Sequence, residues 1–155
     1  MASKSVKRFR GALEEAGLED TILTLDDSAR TAGEAAAALG CEVGQIVKSL
    51  VFRDAWDEPL LVLAAGDVRV DEERVAAIHG VGVSMGDANF VRAAAGYSIG
   101  GVPPFGHLQP IPTLIDASLE RWETAWAAAG TPHTVFSLPV AELERITGGR
   151  VVTVG

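Results

Sequence analysis

Two apolar segments separated by a polar turn occupy residues 46–65, with the sequence IVKSLVF-RDAWDEP-LLVLAA. The first segment, 46–52, is rich in β-branched residues and the second, 60–65, is entirely apolar, so we expect both to be strands. The turn between them contains Asp-Glu-Pro at 57–59, which is typical of a chain reversal. The segment therefore predicts a β-hairpin whose two strands are largely buried.

Helices are predicted on both sides of this hairpin. Thr31-Ala-Gly-Glu34 forms a capping box, in which each of the two polar side chains accepts from a backbone N–H, so a helix should begin there and end at Gly40. Asp71 and Asp87 are typical N-caps of two further helices, expected to end near residues 78 and 95. The other expected elements are helices over 3–16, 119–129 and 139–146, a helical turn over 42–45, a turn over 26–30, and strands over 21–25, 97–99, 113–116, 134–137 and 151–154.

The length and composition are those of one folded domain, 1–155. Of the 155 residues, 48% are hydrophobic and 22% are charged, which excludes a disordered or fibrous chain. Because strands and helices mix without a strict β-α-β alternation, we expect an α+β fold around a mixed sheet. The net charge of −8 is not that of a stand-alone duplex-binding protein, although a small site or a partner can still provide contact with nucleic acid.

No segment predicts a membrane span, an export signal or a metal site. No apolar run approaches ~18 residues, and the first residues are charged and lack an apolar core. Cys41 is the only cysteine, and the three histidines have no acidic or cysteine neighbour at ligand spacing. We therefore expect a cytoplasmic protein with neither a metal nor another cofactor.

Lys48 is the most informative charged residue. Side chains alternate across a strand, and neither face of the strand over 46–52 is polar, so a lysine there is costly unless its amine reaches an anion or a cleft. One interpretation is a cationic group at the bottom of a pocket that receives a phosphate, a carboxylate or a polarised carbonyl. The alternative is a lysine on an edge strand that extends to water.

A loop rich in glycine and proline, GYSIGGVPPFGH, occupies residues 96–107. Glycines allow close backbone approach, and the two consecutive prolines stiffen the loop. Free N–H groups at Gly100, Gly101 and Val102 are predicted to hold a carbonyl oxygen or a phosphate. The alternative is a structural loop between strands.

The same loop contains a G-x-S-x-G sequence centred on Ser98, and Asp116 and His133 follow it in the chain order of a serine hydrolase triad. The nucleophile elbow of such enzymes needs a strand before the serine and a helix after it. Here a helix is predicted before Ser98, and Gly-Gly-Val-Pro-Pro after it cannot be helical. A serine hydrolase that uses Ser98 is therefore only an alternative.

Three segments together resemble the YbaK/ProX family of aminoacyl-tRNA deacylases, which includes the editing domain inserted in bacterial prolyl-tRNA synthetases. They are TAGEAAAALG at 31–40, QIVKSLVF at 45–52 and GYSIGGVPPFG at 96–106. The resemblance implies a central mixed, partly barrel-like sheet flanked by helices. It also implies trans-editing, the hydrolysis of the ester that joins a wrong amino acid to a tRNA 3′ end, without a metal or a protein nucleophile.

The resemblance also implies the site residues. Lys48 matches the family's essential lysine, expected to contact the terminal phosphate or the aminoacyl group. Gly100 and Gly101 match a glycine pair whose backbone holds the substrate carbonyl or the attacking water, so these three residues are expected to be catalytic. The expected substrate-binding residues are Ser49, Tyr97, Ser98, Val102, Pro104, Phe105 and His107. Some members have His in place of Tyr97 and Asn in place of Ser49, which leaves the amino acid open among alanine, cysteine and similarly small groups on a proline tRNA.

The chemistry of an aminoacyl ester agrees with this assignment. The ester is already activated, so positioning a water and stabilising an oxyanion can suffice. The expected partners are the aminoacyl-tRNA 3′ end and a prolyl-tRNA synthetase that supplies most of the tRNA affinity. Trp122 and Trp126 are expected in the core or at a dimer contact, which leaves a homodimer open. A catalytically inert aminoacyl-tRNA-binding module of the same fold is the other alternative.

Overall fold

The computed structural model describes residues 3–26 and 31–155, which form five α-helices and eight strands. The helices are α1 (Lys4–Glu15), α2 (Ala32–Leu39), α3 (Glu72–His79), α4 (Ala88–Ala95) and α5 (Leu143–Thr147). The strands are β1 (Leu23–Thr24), β2 (Val47–Asp54), β3 (Pro59–Ala65), β4 (Val83–Met85), β5 (Thr113–Asp116), β6 (Thr124–Ala128), β7 (Thr134–Pro139) and β8 (Arg150–Val152). Short 3-10 turns cover Val43–Gln45, Ala117–Arg121 and Val140–Glu142. None of the described helices is both long and apolar enough to cross a bilayer.

The strands form two sheets around a shared core. The larger sheet has the order β4-β2-β3-β5-β8 and is mixed, because β2 pairs antiparallel with β3 and β4 whereas β5 pairs parallel with β3 and β8. The smaller sheet, β1-β7-β6, is antiparallel. An isolated bridge between Ile46 and Trp126 links the start of β2 to β6, so the sheets curve partly around one core. The predicted α+β fold with a mixed, partly barrel-like sheet is confirmed.

The main core lies between the two sheets and α1. Val51 and Leu61 enter it from the larger sheet, and Phe136 enters it from the smaller one. The ring of Phe9 on α1 lies 4.7 Å from that of Phe136 and 5.2 Å from that of Phe105, measured between centroids. Since Phe105 belongs to the glycine- and proline-rich loop, this aromatic cluster anchors the loop in the core.

Elements predicted from local signals agree with the structure. β2 and β3 form the expected hairpin. The Thr31 hydroxyl accepts from the Glu34 N–H at 3.1 Å and the Glu34 carboxylate accepts from the Thr31 N–H at 3.2 Å, which confirms the capping box. Asp71 and Asp87 cap α3 and α4 as predicted. Most of the turn expected over 26–30 falls on residues 27–30, outside the described part of the chain.

The helix predicted over 119–129 is wrong. A 3-10 turn ends at Arg121, and the chain then forms β6, which pairs with β7 over its whole length. In this strand Ala125 and Ala127 are buried, whereas Trp126 between them is partly exposed, so the burial alternates with a period of two. Pairing with a neighbouring strand has therefore overridden the helix propensity of the alanines.

The strand predicted over 97–99 is also wrong. Gly96 ends α4 in the left-handed conformation, with φ +84°. The chain then turns, and the Gly101 N–H donates to the Ser98 carbonyl at 2.9 Å. The three-residue strand β4 was not predicted, and it pairs only with the end of β2.

Candidate active site

A cleft of about 470 Å³ opens beside β2, between that strand, β6, the start of α2 and the glycine- and proline-rich loop. β3 pairs along one edge of β2, but the other edge is paired with β4 only at Phe52–Asp54. The chain next approaches this edge where the Gly86 N–H donates to Val51 and where Ile46 bridges to Trp126. Among the described residues, no strand pairs with the part of β2 between these two points, and this part forms one wall of the cleft.

Four of the predicted site residues line this cleft. Lys48 and Ser49 come from β2, and Gly100 and Val102 come from the loop after α4. These two segments are far apart in the sequence, and the fold brings them to one cavity. The predicted site residues that do not line the cleft are Tyr97, Ser98, Gly101, Pro104, Phe105 and His107.

Lys48 lies with its amine against a backbone carbonyl. Its Nζ donates to the carbonyl oxygen of Val68. Burial lowers the pKa of Lys48 from its ordinary value, and the nearby carboxylate of Asp67 opposes that effect. Both oxygens of Asp67 are bound by the guanidinium of Arg121, at 2.7 and 3.0 Å. The ammonium is hydrogen-bonded to a neutral group and not to a carboxylate, so an incoming anion can bind it.

The turn over residues 98–102, which we call the glycine turn, contains two cleft-lining residues whose backbone N–H groups have no acceptor among the described residues. Gly100 has φ +89°, a conformation that a side chain would disfavour. The prediction of a free N–H at Gly101 is wrong, because that group donates to Ser98. Within residues 3–26 and 31–155, the N–H groups of Gly100 and Val102 have no acceptor. These two groups, and not three, are available to a ligand oxygen.

Gly101 supports this turn from behind. A Cβ at this position would lie 2.8 Å from Thr131 Cα and 3.0 Å from the Gly130 carbonyl carbon. The turn thus packs backbone to backbone against the connection between β6 and β7. A glycine is required here for close approach, and it positions its neighbours without lining the cleft.

Ser49 contributes an unsatisfied polar atom. Its Oγ is buried and has no hydrogen-bond partner among the described residues. Strand alternation directs Ser49 and Lys48 to opposite faces of β2, and both line the cleft because this edge of the strand is uncovered. A buried hydroxyl without a partner is costly, so the Ser49 Oγ is a candidate donor and acceptor for a bound ligand.

Three predicted substrate-binding residues, Tyr97, Phe105 and His107, hold the loop in place, and Pro104 is buried in the same loop. The Tyr97 ring is buried and its hydroxyl donates to the Gly106 carbonyl at 2.9 Å. Nε2 of His107 lies 2.7 Å from the Pro103 carbonyl oxygen, and burial lowers the pKa of the His107 ring. These contacts fix the shape of the loop and do not face the cleft.

The remaining walls of the cleft were not identified from the sequence. Trp126 and two alanines of β6 form one wall, and Gly33 of α2 contributes to another. The side chain of Ile99 lies at the rim and is 53% exposed. The segment 31–40 is one of the three that carry the family resemblance, and this resemblance could have indicated that α2 lines the site. The wrong helix over 119–129 concealed the wall formed by β6.

Within the described ranges, the three residues in serine hydrolase order form no hydrogen bonds with one another. The Asp116 carboxylate accepts from the Val154 N–H at 2.8 Å, whereas His133 is exposed between β6 and β7. Ser98 follows α4 and precedes a turn, so it lacks the strand and helix of a nucleophile elbow. In the described part of the chain, no three His, Cys, Asp or Glu side chains are grouped as metal ligands.

Comparisons with known proteins relate this chain to one family. A family model described as an aminoacyl-tRNA editing domain matches residues 26–146. The chain is 31% identical to the uncharacterized protein YwhH of Bacillus subtilis, over 95% of this chain and 94% of that protein. It is 26% identical to a protein of Enterococcus faecalis named "Putative Cys-tRNA(Pro)/Cys-tRNA(Cys) deacylase EbsC", over 76% and 77% of the two chains. A crystal structure of "a putative trans-editing enzyme for prolyl tRNA synthetase" has a TM-score of 0.92 and 40% identity, covering 99% of this chain and 98% of that one.

Proposed function

Since this chain belongs to the aminoacyl-tRNA editing domain family, we propose that it hydrolyses the ester between a small amino acid and the 3′ end of a proline tRNA. Alanine and cysteine are the proposed amino acids. The observation that supports this most directly is the cleft in which Lys48 and the turn at Gly100 face the same volume. The residues that line this one cavity carry a cation and two unpaired N–H groups, a combination that suits an ester next to a phosphate.

The size of the cleft fits the end of an RNA strand. Its volume of about 470 Å³ falls within the ~300–1,000 Å³ typical of small-molecule sites. That is room for a terminal nucleoside with its aminoacyl group and not for a duplex. The proposed substrate therefore enters as a single-stranded 3′ end, with the rest of the tRNA outside.

The proposed reaction needs a positioned water and a stabilised oxyanion. Water attacks the ester carbonyl carbon, and the carbonyl oxygen becomes negatively charged as the tetrahedral intermediate forms. The N–H groups of Gly100 and Val102 donate to this oxygen. The C–O bond to the ribose then breaks: one proton of the water goes to the ribose oxygen, which leaves as a hydroxyl, and the other is released to solvent as the amino acid leaves as a carboxylate. Lys48 neutralises the terminal phosphate or the charge that develops on the aminoacyl group.

The walls of the cleft suit a small amino acid. The Ser49 hydroxyl offers a hydrogen bond to the aminoacyl group, and Val102 and Trp126 offer apolar contact. Differences of one methylene change binding by only ~1–3 kcal/mol, so a small side chain is selected mainly by exclusion of larger ones. A prolyl-tRNA synthetase is the proposed partner, because a chain of net charge −8 has little general affinity for tRNA. A homodimer stays a prediction.

The test is deacylation of proline tRNA charged with alanine, cysteine, serine or proline. Wild type is expected to hydrolyse the alanyl or the cysteinyl ester. Lys48→Met keeps the apolar stem and removes the charge, and it should lower kcat/KM by about 100-fold or more. Arg150→Met is the matched control, since Arg150 is exposed on β8, the far edge strand of the larger sheet.

Two outcomes contradict the proposal. Inertness of the wild type on every substrate favours a binding module of the same fold. Loss of hydrolysis in Ser98→Ala with full activity in Lys48→Met favours a serine hydrolase.

A further inference from the structure

The charges of α1 run opposite to those that stabilise a helix. Lys4 and Lys7 lie near its N-terminus, whereas Glu14 and Glu15 lie in its last turn. The N-terminal end of a helix has a partial positive charge, so cations there and acids at the other end both destabilise the helix. α2 and α3 follow the stabilising arrangement, with acidic residues in their first turns. The pattern of α1 therefore calls for an explanation other than helix stability.

A glycine lies on the same exposed side of the helix. Lys4, Lys7 and Gly11 are three, four and seven positions apart, which places them on one side of α1. All three are exposed. A Cβ at Gly11 would meet nothing within 4 Å, and its φ is not positive, so neither packing nor a turn requires glycine there. Glycine lowers helix stability, and here it leaves the backbone open to a bulky partner. We call these three residues the α1 surface.

The other two cations of α1 already have partners. Arg8 donates to the Gly96 carbonyl, and Arg10 pairs with Asp20 at 2.6 Å. Lys4 and Lys7 form no ion pair with any residue in 3–26 and 31–155. Their charges are therefore available to an external anion.

Backbone contacts connect the first turn of α1, which carries Lys4 and Lys7, to the cleft. A Cβ at Gly130 would lie 3.0 Å from the Ser5 carbonyl oxygen, so the first turn of α1 touches the connection between β6 and β7. Gly101 packs on the same connection. One residue further, Gly100 lines the cleft. The first turn of α1 is therefore linked to the cleft through two successive backbone contacts.

We propose that Lys4 and Lys7 bind backbone phosphates of the RNA whose 3′ end enters the cleft. The inference rests on the proposed function and adds the path of the RNA outside the cavity. An acidic chain needs a local cationic surface to hold a polyanion, and the exposed lysines of α1 provide one next to the site. Because Gly11 has no side chain, the RNA backbone has room to approach the helix there.

The test compares two uncharged RNAs, an acceptor-stem minihelix ending in CCA and the trinucleotide CCA alone. Binding to Lys4→Glu/Lys7→Glu and to wild type is measured by fluorescence anisotropy over a range of salt concentrations. Minihelix affinity should fall by about 10-fold or more, and the slope of log affinity against log salt should decrease by about 2, about 1 for each lysine. Trinucleotide affinity should stay unchanged.

A matched control and a folding check make the result specific. Arg150→Glu reverses one exposed charge on β8 and should leave minihelix binding unchanged, whereas Lys7→Glu alone should weaken it. The thermal midpoint of the double variant should be unchanged or higher, because acids near a helix N-terminus are favourable.

Equal minihelix binding by the double variant and wild type overturns the inference, as does an equal loss for both RNAs or a wild type that binds neither. Because this readout uses no hydrolysis, a wild type that binds the minihelix but cleaves no ester refutes only the proposed function.

Discussion

Replacing Gly101 with alanine should displace the glycine turn of the cleft without altering any group that lines it. The added methyl would meet backbone atoms of Gly130 and Thr131, the nearest at 2.8 Å, whereas ordinary van der Waals contact begins at 3.4 Å. The turn or the opposing connection therefore has to move by about 0.6 Å, the difference between those distances. No flexible side chain can absorb the movement, since all three near atoms belong to backbone.

A displacement of this size is large enough to impair the proposed reaction. The N–H groups of Gly100 and Val102 flank Gly101 and move with it. A misplacement of about 1 Å can lower a rate by ~100-fold, and loss of one oxyanion donor by ~100- to 1,000-fold. Because the expected displacement in Gly101→Ala is smaller than 1 Å, we expect kcat to fall by about 10- to 100-fold. The same clash should lower the free energy of unfolding by about 1–3 kcal/mol.

Gly33→Ala is the matched control for this variant. Unlike Gly101, Gly33 lines the cleft itself, but a Cβ there would meet nothing within 4 Å, and alanine is the better helix former at a position inside α2. This control should keep kcat within about twofold of wild type and keep or raise the thermal midpoint. The assay is single-turnover deacylation of the best wild-type substrate, with thermal unfolding in parallel. A folded Gly101→Ala protein with kcat within about twofold of wild type would refute the reasoning.

Two further predictions test interactions outside the cleft. Tyr97→Phe removes the hydroxyl that donates to Gly106, so urea denaturation should show a loss of about 1 kcal/mol while kcat stays near wild type. A large loss of kcat at unchanged stability would instead indicate that Tyr97 contacts the substrate. The hydrogen bond from His79 is the main cause that lowers the pKa of Asp54, so the ionised carboxylate stabilises the fold. That contribution is present above the unfolded carboxyl pKa of about 3.9 and is lost as the pH falls through the lower folded pKa. Asp54→Asn should therefore be less stable than wild type by about 1–3 kcal/mol at neutral pH, and thermal melts should converge at acid pH. A difference in thermal stability between Asp54→Asn and wild type that does not change with pH would contradict this account.

Elements with short-range signals could be predicted because their physics is local. The capping box of α2 involves only Thr31 and Glu34, and the caps of α3 and α4 involve Asp71 and Asp87 with the next three residues. The β2–β3 hairpin joins neighbouring strands through one short turn. In each case the interacting residues are close in the chain, so the local sequence pattern is sufficient to predict the structure.

β6 shows why other elements could not be predicted. Its alanines are compatible with both a helical and a strand period, so the local pattern does not distinguish the two. Pairing with β7 and burial of Ala125 and Ala127 in the shared core decide in favour of a strand. The same misassignment concealed Trp126 as a wall of the cleft. A partner strand that lies elsewhere in the chain is absent from any local window.

The amino-acid sequence alone identifies the chemically unusual positions: a lysine in an otherwise apolar strand, a glycine pair in a stiff loop, and an overall charge that disfavours nucleic acid. Tertiary packing decides how they are used. It brings Lys48 and Gly100 to one cleft, places Gly101 behind the turn as a support, and turns Tyr97 into the core. The physical reason is that burial and direction of a side chain depend on contacts between distant segments, and these contacts form only when the two sheets and α1 close around the common core.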